Sequence, residues 1–145
     1  MRVIIQKVHS ASVVIDQHVY ASINTGLLCF VGFCDDDEKS DFEWAINKIL
    51  NLKLFQNQSS IQDINGEVLI VSQFTLFASI KKGNKPSWSR AANPDLASQM
   101  YDKFVSICKT KLKNNIKTGV FGSDMNIKSI NNGPVTLIVD TKKKE

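Results

Sequence analysis

Between residues 2 and 33 the chain is an almost unbroken succession of β-branched and apolar residues, interrupted only by short polar steps, and such a stretch is built for strands. Residues 2–8 and 11–16 are the richest, residues 19–23 continue them, and the breaks at His9-Ser10 and Gln17-His18 predict a meander of antiparallel strands. Asn24-Thr25-Gly26 supplies a turn whose glycine is free to take positive φ, ahead of a buried strand over residues 27–33. Four strands are therefore expected before any helix begins.

The pattern then changes period. After the acidic run Asp35-Asp36-Asp37-Glu38, the residues Phe42, Ala45, Ile46, Ile49 and Leu50 fall on one helical face, and negative charge at that end suits the helix dipole. The acidic run is read as a helix start rather than a metal site. Asn93 as cap and Pro94 at the first helical position open a second helix, with Leu96, Met100, Phe104, Ile107 and Leu112 inward and lysines outward. Between the helices a long strand is expected over residues 67–77. Three more strands follow at residues 120–121, 125–130 and 135–139, divided by Gly122-Ser123-Asp124 and Asn131-Asn132-Gly133-Pro134. Roughly eight strands and two helices predict an α+β fold: mainly antiparallel β-sheets forming an open barrel-like domain with both helices on one side. Its 145 residues suit a single domain, 1–145.

No window approaches the ~20 apolar residues of a membrane helix, and the run after Met1-Arg2 is too short for a signal peptide, so a cytoplasmic protein is expected. Cys29, Cys34 and Cys108 form neither a CxxC pair nor a disulfide ladder; Cys29, inside Leu27-Leu28-Cys29-Phe30-Val31, reads as a buried thiol, and no metal or cofactor is expected. The net charge of +4 is unevenly spread, −4 over residues 1–80 and +8 over residues 81–145. This asymmetry fits either a phosphate-rich partner or a lysine-rich solvated face.

Common catalytic signatures are absent: there is no P-loop, GxGxxG, HExxH or GxSxG, and the two histidines, His9 and His18, both lie in the opening strands. What stands out is Ser72-Gln73-Phe74-Thr75 within an otherwise apolar strand. Two hydroxyls and a carboxamide are costly to bury unpaired, so they either complete a hydrogen-bond network or line a cleft. A second feature is Asn131-Asn132-Gly133-Pro134-Val135-Thr136, where a Gly-Pro bond opens a strand.

In combination and in this order, these two segments resemble the D-aminoacyl-tRNA deacylases, the family first known for removing D-tyrosine from tRNA. The resemblance extends over nearly the whole chain, through Met1-Arg2-Val3-Ile4-Ile5-Gln6-Lys7-Val8, Lys48-Ile49-Leu50-Asn51-Leu52, Lys85-Pro86-Ser87 and Phe121-Gly122-Ser123-Asp124-Met125. One departure is the stretch Phe55-Gln56-Asn57-Gln58-Ser59-Ser60, several residues shorter than the family's hairpin. The resemblance implies a homodimer that hydrolyses the ester joining a D-amino acid to the 3′-terminal adenosine of tRNA, a proofreading step in translation, without cofactor, DNA or membrane. It makes Ser72, Gln73, Phe74 and Thr75 the catalytic strand and Met125 a substrate contact. It also makes Gly133 and Pro134 a chirality filter, a cis Gly-Pro inserted into the partner subunit's site. Lys81, Lys82 and Lys85 are expected to hold the tRNA.

An aminoacyl ester is already activated, so the expected mechanism is attack by water assisted by the RNA's 2′-hydroxyl, with the amides of Phe74 and Thr75 stabilising the oxyanion. Thr75 as a covalent nucleophile is the alternative, but no His or Lys lies near it in sequence. Two rival functions are a sister deacylase with a trans Gly-Pro that clears a mischarged L-amino acid, and a non-catalytic RNA-binding module. Val135 after Gly133-Pro134, where the sister group resembles Gly-Pro-Tyr, argues against the first.

Overall fold

The computed structural model describes residues 1–144. The first strand, β1 (Arg2–Ile15), runs straight through the expected break at His9-Ser10. Its buried residues step from Val3 and Ile5 to Val8, then to Ala11 and Val13, so the two-residue alternation twice lengthens to three. Each longer step coincides with a register shift against β6 (Asn126–Asp140), before and after Val8. The polar pair is thus an irregularity inside one continuous strand, not a turn, and across it the buried side chains pass from the cluster of Val3 and Ile5 to that of Val8, Ala11 and Val13. Asp16 and Gln17, both at positive φ, form the tight turn into β2 (His18–Ile23).

The next strand, β3 (Gly26–Gly32), pairs with β1 antiparallel and with β4 (Glu67–Ser72) parallel, and β5 (Ile116–Thr118) extends the parallel part. Gly26 does not use positive φ; it is required because a Cβ there would stand 1.9 Å from the carbonyl oxygen of Glu67 on the neighbouring strand. The strand order is β2-β1-β3-β4-β5, with β6 laid along the other edge of β1. Three antiparallel ladders radiate from β1 and two parallel ones follow, in a mixed sheet that curls into a nearly closed barrel. The α+β reading therefore holds, with the parallel pairs as an unforeseen detail.

Those parallel pairs require crossovers, and the helices provide them. The first helix, α1 (Lys39–Asn51), begins one residue after the acidic run, where the Asp41 carboxylate accepts the Glu38 N–H at 2.9 Å. The second, α2 (Pro94–Leu112), starts as its sequence dictates, with Asn93 Oδ1 accepting the Leu96 N–H at 3.0 Å. Both helices pack on the face of the sheet that carries Val3, Ile5, Cys29, Val31, Val68 and Ile70. There Phe33, Phe42 and Phe104 meet edge to face, with centroids 5.7–6.2 Å apart. The opposite face closes on itself around Val8, Val13, Leu28, Leu69 and Val71. No helix among the described residues is long and apolar enough to cross a membrane.

Four more expectations need correction. The strand expected over 67–77 ends at Ser72, and Phe74–Phe77 is a 3₁₀ turn. The strand expected at 120–121 lies earlier, at Ile116–Thr118, because the ladder with β4 ends when Gly119 N–H reaches the Ile70 carbonyl at 3.0 Å, and Gly122 at positive φ then turns the chain. The two strands expected over 125–139 are one, β6, from which residues 132–135 bulge outward. Finally, no peptide bond is cis among the described residues, so Gly133-Pro134 is trans. In the lone protomer both residues are exposed, and nothing offsets the ~0.5–1 kcal/mol by which X-Pro bonds favour trans. All three cysteines are free and buried; burial pushes Cys108 up to about 12, as it does Cys34, where hydrogen bonds to the neighbouring aspartates add to it.

Candidate active site

The C-terminal end of β4 is where the expected catalytic residues gather. Gln73 N–H still donates to the Val31 carbonyl at 2.7 Å, which carries the β3–β4 pairing one residue past the strand. The backbone then winds into the 3₁₀ turn, with Leu76 N–H donating to the Gln73 carbonyl at 3.3 Å and Ala78 N–H to the Thr75 carbonyl at 3.0 Å. The first amides of such a turn have no acceptor within it, and those of Phe74 and Thr75 donate to no protein group among the described residues. The turn presses against β3 so closely that a Cβ on Gly32 would stand 2.7 Å from the Gln73 carbonyl oxygen.

The polar cluster does both things that the sequence left open. Gln73 Nε2 donates to Thr75 Oγ1, a bond internal to the turn. Ser72 and Phe74 meanwhile line a cleft of about 410 Å³, completed by Trp88, Ala92, Pro94 and Phe121. Phe74 and Trp88 form its rim, with ring centroids 5.3 Å apart and planes at 73°. Asn93 and Pro94 set the start of α2 at the same cleft, and Ala92 N–H holds that segment to the Phe33 carbonyl at 3.0 Å. A larger, more open depression of about 540 Å³ lies along the outer face of α2 between Asp102 and Thr110, away from these residues.

Two groups hold this segment from behind, Arg2 at the turn and Tyr101 at β4, and neither was singled out in the sequence. Arg2 donates from Nη1 to the Leu76 carbonyl at 2.9 Å and from Nε to Asp140 Oδ2 at 2.8 Å, while its guanidinium covers the Phe77 ring at 4.9 Å. Partial burial works against charge on Asp140, but the Arg2 hydrogen bond and backbone donors outweigh it and hold its carboxyl below the usual range. Deeper in, the Tyr101 hydroxyl donates to the Ile70 carbonyl at 2.8 Å, and burial pushes its pKa up. The signal for Arg2 was its place on the first strand; Trp88 offered only its residue type.

The remaining expected residues lie apart from the cleft. Met125 does not line it; its sulfur fills the space beside Gly119, where a Cβ would stand 2.6 Å away. Gly133 and Pro134 sit on the excursion from β6, beside the Lys7 side chain, with Gly133 at φ +113° where a side chain would be strained. The base of that excursion is pinned by Thr136, whose Oγ1 accepts from Asn131 Nδ2 at 3.0 Å and Gln6 Nε2 at 3.2 Å. Lys81, Lys82 and Lys85 are exposed on a hairpin closed by the paired backbone bonds of Ser79 and Ser87, at 2.8 and 2.9 Å.

A small α+β barrel of this kind, with an apolar cleft edged by a few polar groups, has the form of a ligand-binding site. The sequence profile described as D-Tyr-tRNA(Tyr) deacylase matches residues 4–140, and the chain belongs to that family. It is 47% identical over 150 aligned residues to the D-aminoacyl-tRNA deacylase of Flavobacterium psychrophilum and 46% identical to that of Dechloromonas aromatica, in each case over 100% of both chains. Among solved structures it resembles the c-Myc DNA Unwinding Element Binding Protein, with a TM-score of 0.92 at 33% identity, over 97% of this chain and 98% of that one. The fold also matches a probable eukaryotic D-amino acid tRNA deacylase, with a TM-score of 0.83 at 18% identity over 95% and 97% of the two chains.

Proposed function

We infer that this chain hydrolyses the ester between a D-amino acid and the 3′-terminal adenosine of tRNA. The observation that carries the reading is the cleft at the end of β4, set in a chain of this family. Its apolar walls of Phe74, Trp88 and Phe121 suit a purine ring, while Ser72, Gln73 and the two unengaged amides edge the place where the ester would lie. Water attacks the ester carbonyl, aided by the 2′-hydroxyl; the bond from carbonyl carbon to the 3′-oxygen breaks, and the water proton passes to that oxygen. One amide donor aimed at the developing oxyanion is commonly worth about 3–4 kcal/mol.

Gly133 and Pro134 stand outside the cleft of their own protomer, so a role in chirality selection needs a second subunit. The chain offers a surface for one: β6 pairs on one edge only, and Ile130 and Ile138 on it are 59% and 75% exposed. In the homodimer the excursion from one protomer enters the partner's cleft and excludes an L side chain. The trans Gly133-Pro134 bond is the form expected of the sister deacylases, whereas Val135 and the named relatives favour the D-specific activity. Incubation with D-Tyr-tRNA and L-Tyr-tRNA tests this reading directly. Release of D-tyrosine alone is expected; loss of only the L ester would assign the chain to the sister group, and two intact esters would leave an RNA-binding module. Light scattering should give a dimer, and full activity in a monomer would sink the cross-subunit filter.

A further inference from the structure

We propose that Trp88 is a stacking platform for the base immediately 5′ of the terminal adenosine, so that the protein grips the single-stranded acceptor end by a base as well as by phosphates. The proposal rests on the deacylase reading of the cleft and extends it to the next nucleotide.

Three observations carry it. Trp88 is 43% exposed at the rim of the cleft, although an indole is ordinarily well buried. It meets Phe74 edge to face, an arrangement that ties the two rings together without covering the indole as a parallel stack would. Its ring N–H also has no acceptor among the described residues. Secondly, Trp88 follows directly on Ser87, the residue that closes the hairpin bearing Lys81, Lys82 and Lys85. Arg90, two residues on, donates to the Ala78 carbonyl at 3.0 Å and fixes the base of that hairpin. A strand leaving the cleft therefore meets an aromatic rim and then a cationic hairpin on one continuous stretch of chain. Thirdly, the pattern matches how unpaired nucleic acid is held, aromatic faces taking bases and cations taking phosphates. A rim that served only to wall the adenosine cleft would need neither the exposed indole nor the adjoining cations.

The second tryptophan, Trp44, packs on α1 beside Lys48 and Lys144, so a Trp44→Phe background makes emission report Trp88 alone. Titration with the trinucleotide CCA is expected to quench that emission and to bind at least about fivefold more tightly than adenosine, since one stacked base is worth roughly five- to 160-fold. Trp88→Ala should lose about fivefold or more in kcat/KM on D-Tyr-tRNA beyond whatever it loses on D-Tyr-adenosine, and Trp88→Phe should restore most of the difference. Equal quenching and equal affinity for adenosine and CCA, or equal losses on the two substrates, would overturn the proposal and leave Trp88 as a wall of the adenosine cleft. The titration requires no turnover. Inertness of the unaltered protein toward D-Tyr-adenosine would sink the deacylase reading, while CCA quenching would still report on the platform.

Discussion

Replacing Thr75 with alanine separates the two mechanisms open to this site. The Thr75 hydroxyl accepts a hydrogen bond from Gln73 Nε2, and no imidazole, amine or carboxylate is bonded to it among the described residues. His18, one of the two histidines, sits on β2 with Nδ1 2.7 Å from the Asp16 carbonyl oxygen. A nucleophilic hydroxyl needs a base to take its proton, so the geometry favours a positioning role for Thr75. Thr75→Ala then removes one side-chain hydrogen bond, worth about 0.5–1.5 kcal/mol, and leaves the backbone amides in place. That predicts a loss of roughly two- to 13-fold in turnover. The assay is single-turnover deacylation of D-Tyr-tRNA, alongside a substrate ending in 2′-deoxyadenosine, which should be the slower by far because it lacks the assisting hydroxyl. Loss of activity by orders of magnitude in a folded Thr75→Ala protein, with normal rates on the 2′-deoxy substrate, would refute the reasoning and make Thr75 the nucleophile.

Other expectations follow from the surroundings of the site. Arg2→Ala releases the Leu76 carbonyl and Asp140 together; kcat should fall more than KM rises, and Arg2→Lys should recover only part, since one ammonium cannot span both acceptors as the guanidinium does. Changing Lys81, Lys82 and Lys85 to alanine should flatten the salt dependence of tRNA binding measured by filter retention, while hydrolysis of D-Tyr-adenosine stays salt-insensitive; an unchanged slope would remove these lysines from the phosphate path. At the start of α1, burial opposes charge on Asp41, but hydrogen bonds from Lys142 and the Glu38 N–H prevail and hold its pKa at about 2. Because the folded value lies below the unfolded one, near 3.9, the stabilisation is complete above that pH and is lost as pH falls through about 2. Lys142→Ala should therefore lower Tm in calorimetry at pH 6, with the gap to the parent protein closing toward pH 2.

Much of this architecture could be read from local chemistry. Asn93-Pro94 marked the start of α2 to the residue, and the spacing of Phe42, Ala45, Ile46, Ile49 and Leu50 gave the buried face of α1. What escaped depends on partners distant in sequence. The bulge at His9-Ser10 exists only because β6 lies alongside, and the parallel pairing of β3 with β4 is invisible in a strand's own pattern. Ser72 to Thr75 stood out as a polar cluster, but its turn is shaped by Gly32 and by Arg2, some 40 and 70 residues earlier in the chain. Trp88 carried no motif at all, and Met125 carried one yet packs beside Gly119.

The central place of β1 has a consequence for how the molecule comes into being. This strand pairs with β2 and β3, its nearest neighbours in sequence, but its other edge is covered only by β6, in a register that sets Arg2 opposite Asp140. Loops that long close slowly, since the chain gives up the entropy of joining their ends before the first ladder bond forms. On a ribosome that makes roughly 5–20 residues per second, β1 emerges about 110 residues ahead of β6 and waits several seconds for its last partner. Throughout that interval a 14-residue strand keeps one row of amides and carbonyls open to whatever nascent chain or chaperone is nearby.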